Sequence, residues 1–357
     1  MTLSCVDRCR LCGNTDLVSV CDLGRMAFTG IFPRMPAEAV PQGPLELVAC
    51  HGAAAKVCGL VQLRHTFDPQ LLFGPSYGYR SGLNGAMAAH LHDVALKIRQ
   101  LVPCKAGDVI IDIGSSDGTF LRSFSGQGFS LFGIDPAASH FAKYYPCDVQ
   151  AFRGFFPGDE LREKFNGRKA RVIAAIAVFY DLADPLGALC QARDMLEDDG
   201  ILVLEQSYWP LTLRDGTYDM ICHEHVAYYG ARQIKWLADR AGLKVIYSEL
   251  NRINGGSLCV VLARRDAFRA GTEDVFSQLV KNETDALGDG YDVFRDKVLA
   301  HRDALRQTIR EYRAAGLSVA GYGASTKGNV LLQFCGFTSD DISFIAEVNE
   351  EKWQRVC

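Results

Sequence analysis

Asp112-Ile-Gly-Ser-Ser-Asp-Gly118 lies between the apolar run Val109–Ile113 and the helix-like run Thr119-Phe-Leu-Arg-Ser-Phe124. Strand, glycine turn and helix are contiguous. Glycine lets a backbone come close to a ligand. In open α/β sheets ligands collect at the carboxyl ends of strands. The spacing here is Asp-x-Gly-x-x-x-Gly, not the Gly-x-Gly-x-x-Gly of dinucleotide sites. Asp112 and Asp117 would repel a pyrophosphate and suit a cationic sulfonium, with Gly114 and Gly118 shaping the turn. A second strand-like run ends in Gly133-Ile-Asp135-Pro136, where an acid can accept from both ribose hydroxyls. These residues read as a site for S-adenosylmethionine. A glycine turn without a ligand is the plainer alternative, and the independent Asp135 spacing weighs against it.

Cys9-Arg-Leu-Cys12-Gly is a metal half-site by its spacing. Cys50 and Cys58 are its expected partners, with a loop of roughly forty residues closed between the pairs. Four thiolates make a tetrahedral structural zinc site without an open position. The second pair has an unusual spacing, and His51 is a possible substitute ligand. Buried free thiols are the alternative. Thirteen cysteines, an odd number, and no signal-peptide pattern speak against a disulfide framework.

Two further segments carry chemistry. Ile221-Cys-His-Glu-His225 packs two histidines and a glutamate into three positions, beyond a strand end where substrate would lie. A histidine near neutrality is a natural general base, although two loop histidines on the surface would read the same way. Gly321-Tyr-Gly-Ala-Ser-Thr-Lys-Gly328 is a strand-to-helix glycine turn. It is not a Walker A loop, because Lys327 precedes the last glycine and no Ser or Thr follows. Its amides and Lys327 could hold a diphosphate, or the turn could serve packing alone.

The elements needed to position these residues are legible. Apolar Met87, Leu91, Val94, Ala95 and Ile98 recur at helical spacing across 84–102. Strands are expected at 109–113, 129–134, 172–176, 200–205, 243–247 and 257–262. Helices are expected at 186–197 and 231–241, giving the alternation of a doubly wound parallel sheet. Leu45–Ala49 is a strand of the cysteine-rich start. Residues 73–82, rich in turn formers and aromatics, read as a linker or lid. Residues 270–315 read as one or two amphipathic helices, and 342–345 as a strand of a last βα unit. A chain of 357 residues is long enough for two or three domains. Net charge is −4, and 22% of residues are charged. No basic block suggests nucleic acid, and no apolar run suggests a membrane span. The cytoplasm is the default location.

Taken in order, these blocks resemble the sugar 3-C-methyltransferases that act on nucleotide-linked 4-keto-deoxyhexoses. The blocks are Cys-x-x-Cys-Gly with Cys58-Gly-Leu-Val-Gln-Leu63, then Tyr77-x-Tyr79-x-Ser-Gly82, Asp112–Leu121 and Ile221–His225. Asn254-Gly-Gly-Ser257 and Gly321-Tyr-Gly-Ala-x-x-Lys-Gly-Asn329 follow. The resemblance implies a zinc-binding domain at 1–68 and a class I methyltransferase Rossmann-like core at 69–268. It implies a partial, shortened Rossmann-like substrate domain at 269–357. It implies C3 methylation through an enolate in branched deoxysugar biosynthesis. His225 would be the base, Glu224 would orient it or a hydroxyl, and Tyr77 or Tyr79 would reach over the cofactor or sugar. Asp181 is counted with this catalytic group. Cys222, His223, Asn254, Tyr322 and Lys327 are expected around the substrate. The chain departs from the family pattern at Cys222, where a tyrosine is usual, and at Asp181, where a histidine often stands. A monomer or homodimer is expected. The competing readings are an O- or N-methyltransferase, a nicotinamide-dependent enzyme, and a non-catalytic zinc-containing binding protein.

Overall fold

The computed structural model describes residues 3–52, 57–74, 77–158, 163–165, 167–268, 273–286 and 290–357. Near the start, β1 (Leu3–Cys5) pairs with β5 (His65–Phe67). A four-stranded sheet holds β2 (Leu17–Ala27), β3 (Gln42–Cys50) and β4 (Val61–Leu63). Leu45 and Leu47 of β3 are fully buried at alternate positions, as a half-buried strand requires. The fourth strand comes from far along the chain: Ala227–Tyr228 pairs antiparallel with β4. The Cys222–His225 segment is thereby tied to the N-terminal sheet.

The central sheet has seven strands. An inner strand, β6 (Val109–Ile113), is wholly buried and runs parallel to its neighbours β7 (Ser130–Asp135) and β9 (Ala170–Ile176). β8 (Val149–Arg153) and β10 (Leu196–Ser207) extend it in parallel on either side. Alternate residues feed two cores: Val109 and Ile111 face one, Ile110 the other. Each such side chain contributes about 1.5–3 kcal/mol by burial. The helix Gly85–Leu101 covers one face with Met87, Leu91, Val94, Ala95 and Ile98, the five positions read from periodicity. Asn84 caps it, accepting from Ala86 N and Met87 N. The helices Pro185–Met195 and Ala231–Ala241 cover the other face.

The sheet is mixed, which corrects the all-parallel expectation. After β11 (Ala227–Tyr228), β12 (Leu243–Asn251) leads to β13 (Ser257–Arg264), which inserts between β12 and β10 and is antiparallel to both. The connection is the Asn254-Gly-Gly turn, with Asn254 at φ 54° and Gly255 at φ 86°. Left-handed backbone there suits Asn and Gly and closes a hairpin, where a parallel step needs a crossover. The last unit is shorter than expected. β14 (Gly321–Tyr322) and β15 (Ile345–Ala346) pair in parallel around the helix Thr326–Cys335. Ile342 is not in a strand, because its amide closes a turn on the Thr338 carbonyl. The helices Glu273–Ala286 and Gly290–Ala314 precede this unit. Phe294 packs on Trp209 at 5.5 Å. Among the described residues, no helix is long and apolar enough to cross a membrane.

Candidate active site

The turn after β6 is built for close approach. Gly114, Ser116 and Gly118 all have positive φ. A Cβ on Gly114 would lie 2.8 Å from Val178, and one on Gly118 2.7 Å from the Tyr145 ring. Only glycine fits either place. Asp135 ends β7 and accepts from Ser116 N (2.9 Å) and Ala137 N (2.7 Å), leaving further lone pairs on both oxygens. Burial raises the carboxyl pKa of Asp112 and of Asp135; the two amides partly offset the rise at Asp135. Ser115 Oγ and Tyr145 OH are 2.7 Å apart, and the tyrosine donates to Ser116 O. That pair stiffens the loop and was not anticipated. Asp117 is placed differently from expectation. Its carboxylate accepts from Gly82 N and Thr119, with Arg80 3.7 Å away, and it faces a separate hollow beside Arg80 and Tyr144, not the cavity lined by Gly114 and Asp135. It joins the Tyr77–Gly82 motif to the cofactor loop.

A cavity of about 350 Å³ opens at the carboxyl ends of β6, β7 and β9. Gly114, Ser116, Asp135 and Pro136 line one end, with the apolar Met87, Leu91, Phe141 and Phe156. Tyr77, Tyr79, Asp181 and Glu224 line the rest. Tyr79 is exposed at the mouth, and Tyr77 is bridged to Ile31. Residues 75 and 76 of the 73–82 segment lie outside the described residues. Four carboxyl groups line the cavity (Asp135, Asp181, Asp184 and Glu224) and, among the described residues, no lysine, arginine or histidine does. Such a cavity opposes a pyrophosphate and favours a cationic sulfonium and ammonium. The nicotinamide reading loses its physical basis here.

The His-Glu-His segment divides its residues. A turn at His223 and Glu224 sends consecutive side chains apart. Glu224, 3% exposed, reaches the cavity, and neither of its oxygens has a hydrogen-bond partner in the protein. Gly30, in the turn after β2, makes room for it: a Cβ there would lie 2.2 Å from Oε1. His225 lies alongside, its ring 4.2 Å from that of Tyr180. Nδ1 is 2.8 Å from Met220 O. The carbonyl can only accept, so Nδ1 carries the proton and Nε2 the lone pair. Burial pushes the His225 pKa down to about 4; the Met220 carbonyl opposes this, and the charge of Lys327 adds to it. His223 does not reach the cavity. It is fully buried between Phe28 and Phe67, at 4.8 and 5.0 Å, with Nε2 on Gly43 O. Cys222 is buried beside Glu224, and burial raises its thiol.

The C-terminal residues are only partly gathered. Lys327 stands at the start of Thr326–Cys335, close enough for its charge to reach His225. The helix is fixed by Asn329 Nδ2 on Thr29 O (2.8 Å) and by Gln333, which bonds both polar backbone groups of Ala27. Tyr322 is 84% exposed. Neither it nor Asn254, held in the left-handed turn, lines the cavity.

Cys9, Cys12, Cys50 and Cys58 present four sulfurs within 4.8 Å of one another. Cys9–Cys58 and Cys12–Cys50 are 3.3 and 3.4 Å apart. Zinc–sulfur bonds of about 2.3 Å in a tetrahedron place sulfurs about 3.8 Å apart, so the cluster fits zinc. His51 is not part of it; its ring pairs with Asp16 at the surface. Asn14 donates to Cys50 Sγ, and Gln233 of the core donates to Cys58 O.

A seven-stranded sheet with one reversed strand, a glycine loop at β6 and an acid at the end of β7 define a class I S-adenosylmethionine-dependent methyltransferase. The chain matches three family models in order. They are a zinc binding domain over residues 9–73, a methyltransferase domain over 83–248, and a C-methyltransferase C-terminal domain over 252–357. It belongs to the S-adenosylmethionine-dependent C-methyltransferases with a zinc-binding N-terminal domain. It is 27% identical over 357 residues to the C-methyltransferase NovU of Streptomyces niveus, covering 98% of this chain and 83% of that protein. A tRNA U34 carboxymethyltransferase of Aeromonas salmonicida is 31% identical over 109 residues, 28% of this chain and 32% of that enzyme. Among solved structures, the amino pentose methyltransferase CalS10 of Micromonospora echinaspora overlays with a TM-score of 0.38 at 16% identity. That overlay covers 49% of this chain and 90% of that one.

Proposed function

We propose that this C-methyltransferase transfers a methyl group to C3 of a nucleotide-linked 4-keto-deoxy sugar, in branched deoxysugar biosynthesis. The observation that carries the reading is His225. It is held neutral, with Nδ1–H on Met220 O and Nε2 as the free base, one residue after the cavity-lining Glu224. A hydrogen beside a ketone is acidic enough for such a base, and carbon methylation needs one. The relation to the C-methyltransferase NovU supports transfer to carbon.

Each residue has a task on this reading. His225 Nε2 takes the C3 proton as negative charge moves to the ketone oxygen. Glu224 orients a sugar hydroxyl. Gly114, Asp135 and Pro136 hold the cofactor at its nucleoside, which supplies an electrophilic methyl on positive sulfur. Tyr77 and Tyr79 close the mouth and limit water. The diphosphate lies on the side of Lys327, away from the acidic cavity. The protein mainly positions the partners. The test is incubation with a panel of nucleotide-linked 4-keto sugars and S-adenosylmethionine, read by mass spectrometry. A singly methylated sugar nucleotide, lost in His225→Ala with cofactor binding intact, is expected. Methylation of other substrates only, or full activity in His225→Ala, overturns the reading.

A further inference from the structure

Asp181 and Glu224 enter the same cavity from different elements. Asp181 ends the short helical turn after β9, and Glu224 follows the long excursion after β10. Oδ1 of Asp181 and both oxygens of Glu224 are buried without a hydrogen-bond partner. Unpartnered buried polar atoms are costly, and a substrate that bonds to them recovers the cost. No cationic side chain among the described residues lines this cavity. The groups felt around the pair are Tyr77, Tyr180, Cys222, Tyr228, Tyr229 and Asp135, none of them a cation. The charge of Lys327 is felt at His225, the residue after Glu224. Two carboxylates cannot both stay ionised in so apolar a place.

We propose that Asp181 is a neutral carboxylic acid in the working enzyme and donates its O–H hydrogen bond to the substrate's carbonyl oxygen. This rests on the keto-sugar reading above. Burial and the neighbouring Glu224 both raise the Asp181 carboxyl well above the usual range, which agrees with the geometry. The step balances simply. The C–H proton goes to His225 Nε2 and the electron pair moves onto the carbonyl oxygen, where the Asp181 O–H bond strengthens. As the new carbon–carbon bond forms, the pair returns from oxygen to carbon and on to the incoming methyl, whose bond to sulfur breaks with its electrons left on sulfur; the proton leaves His225 for solvent. Asp181 keeps its own proton throughout. The family's frequent histidine at this place gives way here to a group that donates only while protonated.

The experiment uses zinc-loaded protein saturated with S-adenosylhomocysteine near neutral pH. Difference infrared spectroscopy detects a protonated carboxyl through its C=O band, without any turnover. A band is expected in the wild type and in Glu224→Gln, and its loss in Asp181→Asn. Kinetics on an accepted sugar nucleotide follow. Asp181→Asn keeps a neutral donor and should stay within about tenfold of wild-type kcat. Asp181→Ala should fall about 10²–10³-fold, as loss of one oxyanion donor does. The wild type should lose activity at alkaline pH with a limb that Asp181→Asn lacks. A band absent from wild type, or one undiminished in Asp181→Asn, overturns the proposal. So does a wild-type rate in Asp181→Ala. If no keto sugar is methylated, the substrate reading fails, and the infrared result still decides the state of Asp181.

Discussion

Replacing Gly30 by alanine tests how far the turn after β2 shapes the catalytic cavity. Gly30 is buried and its φ lies outside the left-handed region, so alanine costs the backbone nothing there. The new methyl group would sit 2.2 Å from Glu224 Oε1, against an ordinary contact of 3.4 Å or more. The carboxyl, being the flexible end of a side chain, must move by about 1.2 Å. A displacement of about 1 Å at a catalytic group costs about 100-fold in rate. kcat should fall by about that factor, with zinc content unchanged. The strain is borne by a side-chain end and should cost at most about 1 kcal/mol, a few degrees in melting temperature. Steady-state methyl transfer and differential scanning fluorimetry measure both. The double variant Gly30→Ala/Glu224→Ala should be no slower than Glu224→Ala alone, since the two changes act through one carboxyl. Wild-type kcat in Gly30→Ala, or a further 100-fold loss in the double variant, refutes the coupling.

Three more outcomes follow from the geometry. Purified protein should hold about one zinc per chain, and Cys58→Ser should lose it. The methyltransferase core should melt earlier too, because Cys9, Cys50 and Cys58 share a core with its strands; unchanged melting after chelation contradicts this. Gly118→Ala should weaken S-adenosylmethionine binding by more than tenfold in calorimetry, given φ 75° and the Tyr145 contact at 2.7 Å. Acid should test His223. Burial holds its pKa near 4 against an ordinary 6.5, so the unfolded chain binds the extra proton between those values. The contribution of the neutral buried ring is full above pH 6.5 and is lost as pH falls toward 4, up to about 3 kcal/mol. Against wild type, His223→Phe should therefore gain relative melting temperature as pH drops from 6.5 to 4.5; a constant difference across that window contradicts the assignment.

The sequence exposes features that depend on neighbours in the chain. The five buried positions of Gly85–Leu101 follow from helical spacing, and the glycine loop follows from a strand, a turn and a distant acid. The cysteine pairs cluster as their spacing suggests. What escapes is set by packing between segments far apart. His223 and His225 look equivalent in sequence, yet one turn buries the first between Phe28 and Phe67 and leaves the second beside the cavity. Asp117 resembles a cofactor ligand until Gly82, thirty-five residues earlier, is seen to occupy its carboxylate. Gly30 carries no local signal, since its reason is Glu224. The reversed β13 was within reach: Asn254-Gly-Gly between two strand-like runs is a hairpin signal, and the regular alternation before it masked the change of direction.

Proton exchange in heavy water tests the central claim most directly, because it isolates the base from methyl transfer. A nucleotide-linked 4-keto sugar is incubated with the enzyme and S-adenosylhomocysteine, and C3–H is followed by proton NMR. Wild type should exchange that hydrogen for deuterium, and His225→Ala should not, while both bind S-adenosylhomocysteine alike. Undiminished exchange in His225→Ala, or methylated product formed on oxygen or nitrogen when S-adenosylmethionine is supplied, would contradict carbon methylation by a His225-generated enolate.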